Sequence, residues 1–253
     1  MSAKDRLNEI LKLLNKQGRV HVKDLSKRFG VTEDLIRKDL KKLEEKDLID
    51  RIYGGAERKS EKFDASNIKY RMNLHKERKE KLAEKAMSLI QNGDTIFLDT
   101  SSTCATLAMT ISKSHLELTV ITNMLEIVRI LEDNNGVRVI LIGGLYNRQI
   151  GGFVGHEVIE AIKAYYVDLA FISCMSVDLE RRVLLSSTKD IGFTKKIMLD
   201  HSKKKICMIE SRKFNHNGLV KFYDLEALNY IILDINVQKK EKTLFEELEI
   251  MTL

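Results

Sequence analysis

Residues 18 to 56 read GRVHVKDLSKRFGVTEDLIRKDLKKLEEKDLIDRIYGGA, and the organisation of the chain follows from them. Val22, Leu25 and Phe29 recur at intervals of three and four, which places one apolar face on a short helix ended by Gly30. Beyond the tight turn at Gly30 and Val31, Thr32 is placed to accept the first free amide hydrogens of a second helix. Ile36, Leu40 and Leu43 mark the buried face of that helix. Its opposite face carries Glu33, Asp34, Arg37, Lys38 and Lys41, a surface that fits a major groove. Leu48 to Ala56, with Arg51 on it, reads as a β-ribbon. Tyr53, Gly54 and Gly55 form its turn, where glycine permits positive φ. Two amphipathic helices alone would equally suit a small helical bundle. The short turn, the basic face and the glycine-tipped ribbon, in that order, make a winged helix-turn-helix whose partner is double-stranded DNA.

The chain has 253 residues, enough for two domains with a core each. Its formal net charge is +6, and the basic excess falls within residues 1 to 90, where phosphate neutralisation would use it. A solvated lysine-rich surface would leave the same balance. No apolar run approaches the roughly 18 to 20 residues of a membrane span, and the start, MSAKDRLNEI, has no apolar signal core. A cytoplasmic protein without a membrane partner is expected. Cys104, Cys174 and Cys207 are odd in number and widely spaced, so they read as buried reduced thiols rather than a disulfide framework or a metal site. The histidines are scattered. His156-Glu157 is followed by Glu160 where a zinc-protease helix needs its second histidine, and neither a metal nor another cofactor is expected.

Residues 3 to 16 form a first helix, with Leu7, Ile10, Leu11 and Leu14 facing the helix pair, so residues 1 to 57 make the winged helix-turn-helix domain. Residues 58 to 73 are polar and without clear periodicity, a linker. From residue 74 to 253 the grammar changes. After a charged helix over about 75 to 91, with Leu82, Ala86, Leu89 and Ile90 inward, short apolar runs alternate with helical segments. The strand candidates are Thr95 to Leu98, Leu118 to Ile121, Val137 to Ile142, Leu169 to Ile172, Ile206 to Ile209 and Tyr230 to Leu233. Helical stretches such as Cys104 to Ile111, Met124 to Leu131, Val158 to Ala164 and Thr194 to His201 lie between most of them. This alternation predicts an α/β domain built on a mostly parallel, doubly wound sheet. Leu244, Phe245 and Leu248, at helical spacing in the last stretch, dock on their own domain by default.

Ligands of such sheets sit beyond the carboxyl ends of the strands. The first strand ends in Asp99, and Thr100, Ser101, Ser102 and Thr103 lead straight into a helix. Free amides and the positive end of the helix dipole attract an anion there, and the hydroxyls add donors. Ordinary capping needs only one hydroxyl, and four in succession suit a phosphate. The second strand ends in Thr122-Asn123 and the third in Gly143-Gly144. Gly151 and Gly152 read as turn formers. Asp168, before the fourth strand, and Lys213, after the fifth, add a carboxylate and an ammonium suited to a sugar hydroxyl and a phosphate.

On these residues the chain resembles DeoR-family bacterial transcriptional regulators nearly end to end. VTEDLIRKDLKKLEE followed by RIYGGA is similar to the family's helix-turn-helix and wing, and GDTIFLDTSSTCATLA, LTVITN, VILIGG, VDLAFIS and ESRKF fall in the family's order. The resemblance implies a sensor domain related in fold to ribose-5-phosphate isomerase and a phosphorylated sugar or related metabolite as effector. It also implies repression of an operon for sugar or nucleoside catabolism, relieved by the ligand. Ser101 stands where the family usually has glycine, Ile191-Gly192 where a Glu-Ala pair is common, and ESRKF in place of the usual Asp-Ser-Lys core.

DNA contact is thus expected from Thr32, Glu33, Arg37, Lys38, Lys41, Arg51, Tyr53 and Gly54. Effector contact is expected from Asp99, Thr100, Ser101, Ser102, Thr103, Thr122, Asn123, Gly143, Gly144, Asp168 and Lys213. A homo-oligomer, dimer or tetramer, would present two recognition helices to successive major grooves. Two rivals stay open. A sugar-phosphate isomerase with a DNA-binding appendage would need a paired acid and base, and Asp99 and Asp168 are crevice carboxylates only. A repressor that has lost its effector fits the substitutions at Ser101 and Ile191.

Overall fold

The structure, a computed structural model, describes residues 3–45, 49–58, 68–214, 218–235 and 239–253. The chain divides into two compact units, residues 1–66 and 67–253.

In the first unit, α1 (Ala3–Gln17) and β1 (Arg19–His21) precede α2 (Val22–Phe29) and α3 (Glu33–Glu45), and β2 (Ile49–Ile52) and β3 (Gly55–Arg58) close it. The order across its sheet is β1-β3-β2, antiparallel throughout. Ile10 and Leu14 of α1, Val22 and Leu25 of α2, and Ile36, Leu40 and Leu43 of α3 are buried together with Val20, Ile49 and Ala56. The spacing at three and four therefore found the buried faces. The ribbon appears as β2, Tyr53-Gly54 and β3; Leu48, at its expected start, lies outside the described residues. The third strand, β1, was not expected, since three residues are too few to show alternation. It explains Gly55: a Cβ there would stand 2.1 Å from the Val20 carbonyl oxygen, so only glycine lets β1 and β3 approach. One buried ion pair ties α1 to α3, Arg6 Nε donating to Asp39 Oδ2 at 2.5 Å.

The second unit opens with α4 (Ile68–Asn73) and α5 (Lys76–Met87). It continues through β4 (Thr95–Leu98), α6 (Ser102–Ile111), β5 (Leu118–Thr122), α7 (Leu125–Leu131) and β6 (Val137–Leu141). The hairpin β7 (Leu145–Asn147) and β8 (Gly152–Val154) follows, then α8 (His156–Lys163), β9 (Val167–Ile172), β10 (Ser176–Asp178) and β11 (Val183–Ser186). Last come α9 (Lys189–Asp200), β12 (Ser202–Ile209), β13 (Val220–Asp224), β14 (Tyr230–Leu233), α10 (Lys239–Glu247) and β15 (Met251–Thr252). α4 occupies the end of the stretch expected as linker, and residues 59–67 of that stretch lie outside the described residues.

The main sheet has the order β15-β14-β12-β9-β4-β5-β6, every neighbouring pair parallel. All six expected strands are in it, within a few residues of their expected ends. Ile96 and Leu98 of β4 face one core with α5, α6 and α7, while Phe97 faces another with α8, α9 and Phe245 of α10. A strand buried on both faces must be apolar at every position, which is why these strands read as continuous runs. The tail docks on its own unit through the buried Phe245. From β4 the chain winds outward to β6, then returns to β9 and winds the other way to β14. The order therefore reverses between β4 and β9, the place in such a sheet where a ligand crevice is expected beyond the carboxyl ends of the strands.

Candidate DNA reader and candidate effector crevice

In the first unit, Thr32 begins α3 as expected, its Oγ1 accepting the Leu35 N–H at 3.3 Å. Arg37 is not free. Its Nη2 lies 2.8 Å from Glu33 Oε2 and its Nη1 2.7 Å from Asp34 Oδ1, pairs that the helix spacing of three and four makes natural. Lys38 and Lys41 are exposed on the outer face. Arg51 stands 3.8 Å from Glu44. Tyr53 is 105 % exposed at the tip of the ribbon, beside Gly54 at φ +76°.

In the second unit, Asp99 is 1 % exposed at the end of β4. Its Oδ2 accepts the Ser173 N–H at 3.0 Å from the end of β9 and pairs with the Lys195 ammonium of α9. Burial pushes the Asp99 carboxyl up, but the Lys195 charge and the hydrogen bonds from Lys195, Ser101 and Cys104 together outweigh it and hold the group below the usual carboxylate range. Thr100, Ser101, Ser102 and Thr103 are all buried. Ser101, which replaces the family's usual glycine, caps α6, its Oγ accepting the Cys104 N–H at 3.1 Å.

Asn123 is tied to the β7–β8 hairpin by two bonds: its Nδ2 donates to the Phe153 carbonyl at 2.8 Å, and its own carbonyl accepts the Phe153 N–H at 2.8 Å. Gly152 is pressed so closely on the hydroxyl loop that a Cβ would meet Thr100 Cγ2 at 2.3 Å. The hairpin also holds α4, since Ile68 N–H donates to the Gln149 carbonyl. Thr122 is spent on the backbone, its Oγ1 donating to Leu98 O and accepting from Met124 N–H. Lys213 reaches the crevice, its Nζ donating to Ser173 Oγ at 2.9 Å and lying 3.8 Å from Glu210.

Two expectations do not fit this geometry. Asp168 lies at the start of β9, so it stands at the amino end of the sheet, where it accepts the Thr95 N–H and pairs with Lys203. Gly143 and Gly144 are exposed, and Gly144 approaches Val154 and Val158 rather than the Asp99 cluster.

Lys195 went unnoticed in the sequence, as did Arg71, Lys79, Ser173 and Glu210. Lys79 is 2 % exposed on α5, its ammonium donating to the carbonyls of Arg71 and Leu74. Burial lowers its pKa to about 8, with Glu210 opposing and Lys213 and Arg212 assisting. Glu210 is buried too, and burial would raise its pKa, but Lys213 and Arg212 bring it below the ordinary value. On the rim, Arg212 pairs with Glu210 and Arg78 with Asp234. Arg71 of α4 keeps Nε and Nη2 away from solvent with no hydrogen-bond partner among the described residues. The cations Arg71, Lys79, Lys195 and Lys213 thus outnumber the two carboxylates Asp99 and Glu210 that they share, and such an excess inside a protein calls for an anion. The missed lysines had a faint signal. Lys79 with Leu82, Ala83 and Ala86, and Lys195 with Met198 and Leu199, fall at the spacing of a buried face.

Residues 6–62 match the family described as the DeoR-like helix-turn-helix domain, and residues 74–235 match the DeoR C terminal sensor domain. The chain belongs to the DeoR family. Similar relatives span nearly its whole length. The lactose phosphotransferase system repressor of Staphylococcus epidermidis is 33% identical over 96% of this chain and 96% of its own. The putative aga operon transcriptional repressor of Escherichia coli O157:H7 is 30% identical over 91% of this chain and 86% of its own. Among solved structures, ribose 5-phosphate isomerase A of Methanocaldococcus jannaschii matches with TM-score 0.41 and 18% identity over 55% of this chain and 54% of that one. This DeoR-family chain is a DNA-binding transcriptional regulator, not an enzyme, in keeping with relatives named as repressors. No helix among the described residues is long and apolar enough to cross a membrane.

Proposed function

We propose that this regulator represses an operon for the uptake or breakdown of a carbohydrate and leaves its DNA when a phosphorylated sugar fills the crevice of the second unit. The buried excess of cations carries this reading. Lys79 lies within electrostatic reach of Arg71 and Lys213, and Arg71 within reach of Asp99, from which the hydroxyl loop runs, and a phosphate dianion would balance these cations. The names of the relatives, repressors of sugar operons, point the same way. Residues 1–57 read DNA and residues 74–253 sense the ligand. α3 lies in the major groove, with Thr32, Glu33, Arg37, Lys38 and Lys41 at base edges or phosphates, and Arg51, Tyr53 and Gly54 reach the backbone beyond. Two copies act together, placing two such helices about one turn of DNA apart, in the cytoplasm. Asp99, Thr100 to Thr103, Asn123 and Lys213 surround the ligand, while Asp168 and the glycines 143 and 144 do not touch it.

Thermal melting of the full chain against a panel of sugar phosphates, with the free sugars and inorganic phosphate beside them, tests this reading. A ligand of the native state must raise the melting temperature. The expected result is a shift with a phosphate ester and not with its free sugar, and release of a selected duplex by the same ester. If no ester shifts the melting and none affects the duplex, the effector-independent repressor is the better account.

A further inference from the structure

The proposed effector has a second end, and the crevice holds unsatisfied atoms of the opposite kind to the cations. Leu98 of β4 pairs in register with Thr122 of β5, so Asp99 and Asn123 stand side by side one residue beyond, about 5 Å apart across the strands. Strand alternation turns both side chains to the face of Phe97 and Ile121. Each is 1 % exposed. Each also has one oxygen, Asp99 Oδ1 and Asn123 Oδ1, with no hydrogen-bond partner among the described residues. Neither can turn to find one. Asp99 is fixed through Oδ2 by Ser173 and Lys195, and Asn123 through Nδ2 by the Phe153 carbonyl. The Ser101 hydroxyl and Cys104 thiol lie beside the Asp99 carboxylate and lower its pKa, Ser101 Oγ accepting the Cys104 N–H and the thiol donating to Phe171 O, while Oδ1 itself has no partner among the described residues. A buried acceptor left alone costs free energy, and two fixed in adjacent positions form a built site for donors.

We propose that Asp99 Oδ1 and Asn123 Oδ1 read the polyol end of the effector, each accepting from one of two hydroxyls on nearby carbons. The chemical class is therefore a polyhydroxylated ester, and a deoxy analogue is rejected because it leaves a buried acceptor unpaired. This deepens the sugar-phosphate reading and rests on it. The division of labour is definite: the cations hold the anion and the two strand ends select the hydroxyls.

The experiment uses the full chain and the panel of hexose and pentose phosphates, then the monodeoxy derivatives of whichever ester responds, with affinities from calorimetry. For the wild type, the ester should outbind at least one of its monodeoxy derivatives by about 100-fold or more, as a site built around a substrate hydroxyl does. Asp99→Asn retains an oxygen for Ser173 and presents an amide donor where Oδ1 stood, so the preference at one hydroxyl should collapse to within a few-fold. Asn123→Ala, which keeps the backbone bond from the Phe153 N–H and loses the side-chain bond to the Phe153 carbonyl, should erase the preference at the other. Equal binding of every deoxy derivative by the wild type overturns the proposal without touching the phosphate reading. So does a preference that survives in both variants. Binding of a free polyol in place of any ester removes the phosphate and keeps the acceptor pair, whereas silence from esters and free polyols alike sinks both.

Discussion

Replacing Lys195 by methionine isolates the ion pair on which the crevice is built. Asp99 and Lys195 are both buried, and the Ser173 amide also donates to Oδ2. Methionine keeps most of the volume of the side chain and deletes its charge, leaving a carboxylate uncompensated in the interior. Removing one partner of a buried pair costs about 3 to 5 kcal/mol. In a unit of this size each kcal/mol moves the midpoint by about 2 to 4 °C, so the second unit should melt roughly 6 to 20 °C lower. Far-UV circular dichroism is the suitable probe, because the chain has no tryptophan.

The pH dependence supplies a second reading of the same variant. In the wild type the Asp99 pKa lies below its unfolded value, so the pair stabilises the fold above about pH 4 and the gain is lost as pH falls through the depressed value. Without Lys195, burial should outweigh the remaining hydrogen bonds and raise the carboxyl pKa. The penalty is then complete near neutral pH and shrinks as acid neutralises the group. Asp99→Leu combined with Lys195→Met should recover most of the loss, since an apolar pair replaces a stranded charge. A deficit under about 1 kcal/mol, or one unchanged between neutral and mildly acid pH, would refute the account of Asp99 as a buried charge held by Lys195.

In the reader, Gly55→Ala forces a Cβ onto the Val20 carbonyl and should detach β1 from β3, seen as lost DNA binding in gel shift with the second unit still melting at its own temperature. Arg37→Ala should weaken a selected duplex by about 1 to 3 kcal/mol and relax preference at one base pair if it reads a base, while a uniform loss over all sequences marks a phosphate contact. Asp34→Asn should tighten DNA binding and steepen its salt dependence, because it frees Arg37 from one of its two carboxylates. Lys79, with its pKa lowered to about 8, should hold an anion below that pH and release it above. In the absence of ligand the unfolded chain binds the extra proton between about pH 8 and 10.4, so stability should rise through that window, and Lys79→Met should abolish the rise in melts across it.

The sequence carried the central sheet and the reader's helices because both rest on repetition. Continuous apolar runs marked β4, β5, β6, β9, β12 and β14, and apolar residues at three and four marked α1, α2 and α3. Elements without repetition stayed hidden. β1, the β7–β8 hairpin, the β10-β11-β13 sheet and β15 are mostly three or four residues long, and their partners lie elsewhere in the chain. The hydroxyl loop after Asp99 was legible because its residues are consecutive. Arg71, Lys79 and Lys195 were not, since each is a single charge on a helix among many, and only packing shows that it turns inward. Asp168 was misplaced for a related reason: a residue in front of a strand belongs to the opposite end of the sheet from one that follows it.

The grip of the β7–β8 hairpin on Asn123 also bears on how fast a sensor can answer. Phe153 is bonded to Asn123 by two hydrogen bonds, and Gly152 lies on Thr100, so the ligand proposed among Asp99, Asn123 and the hydroxyl loop would need the hairpin to part from the strand end before it entered. The association rate should then climb with ligand concentration only until it meets the opening rate of the hairpin, and level off there. Past that point a higher ligand concentration would bring no quicker response. The response time belongs to the protein rather than to its surroundings.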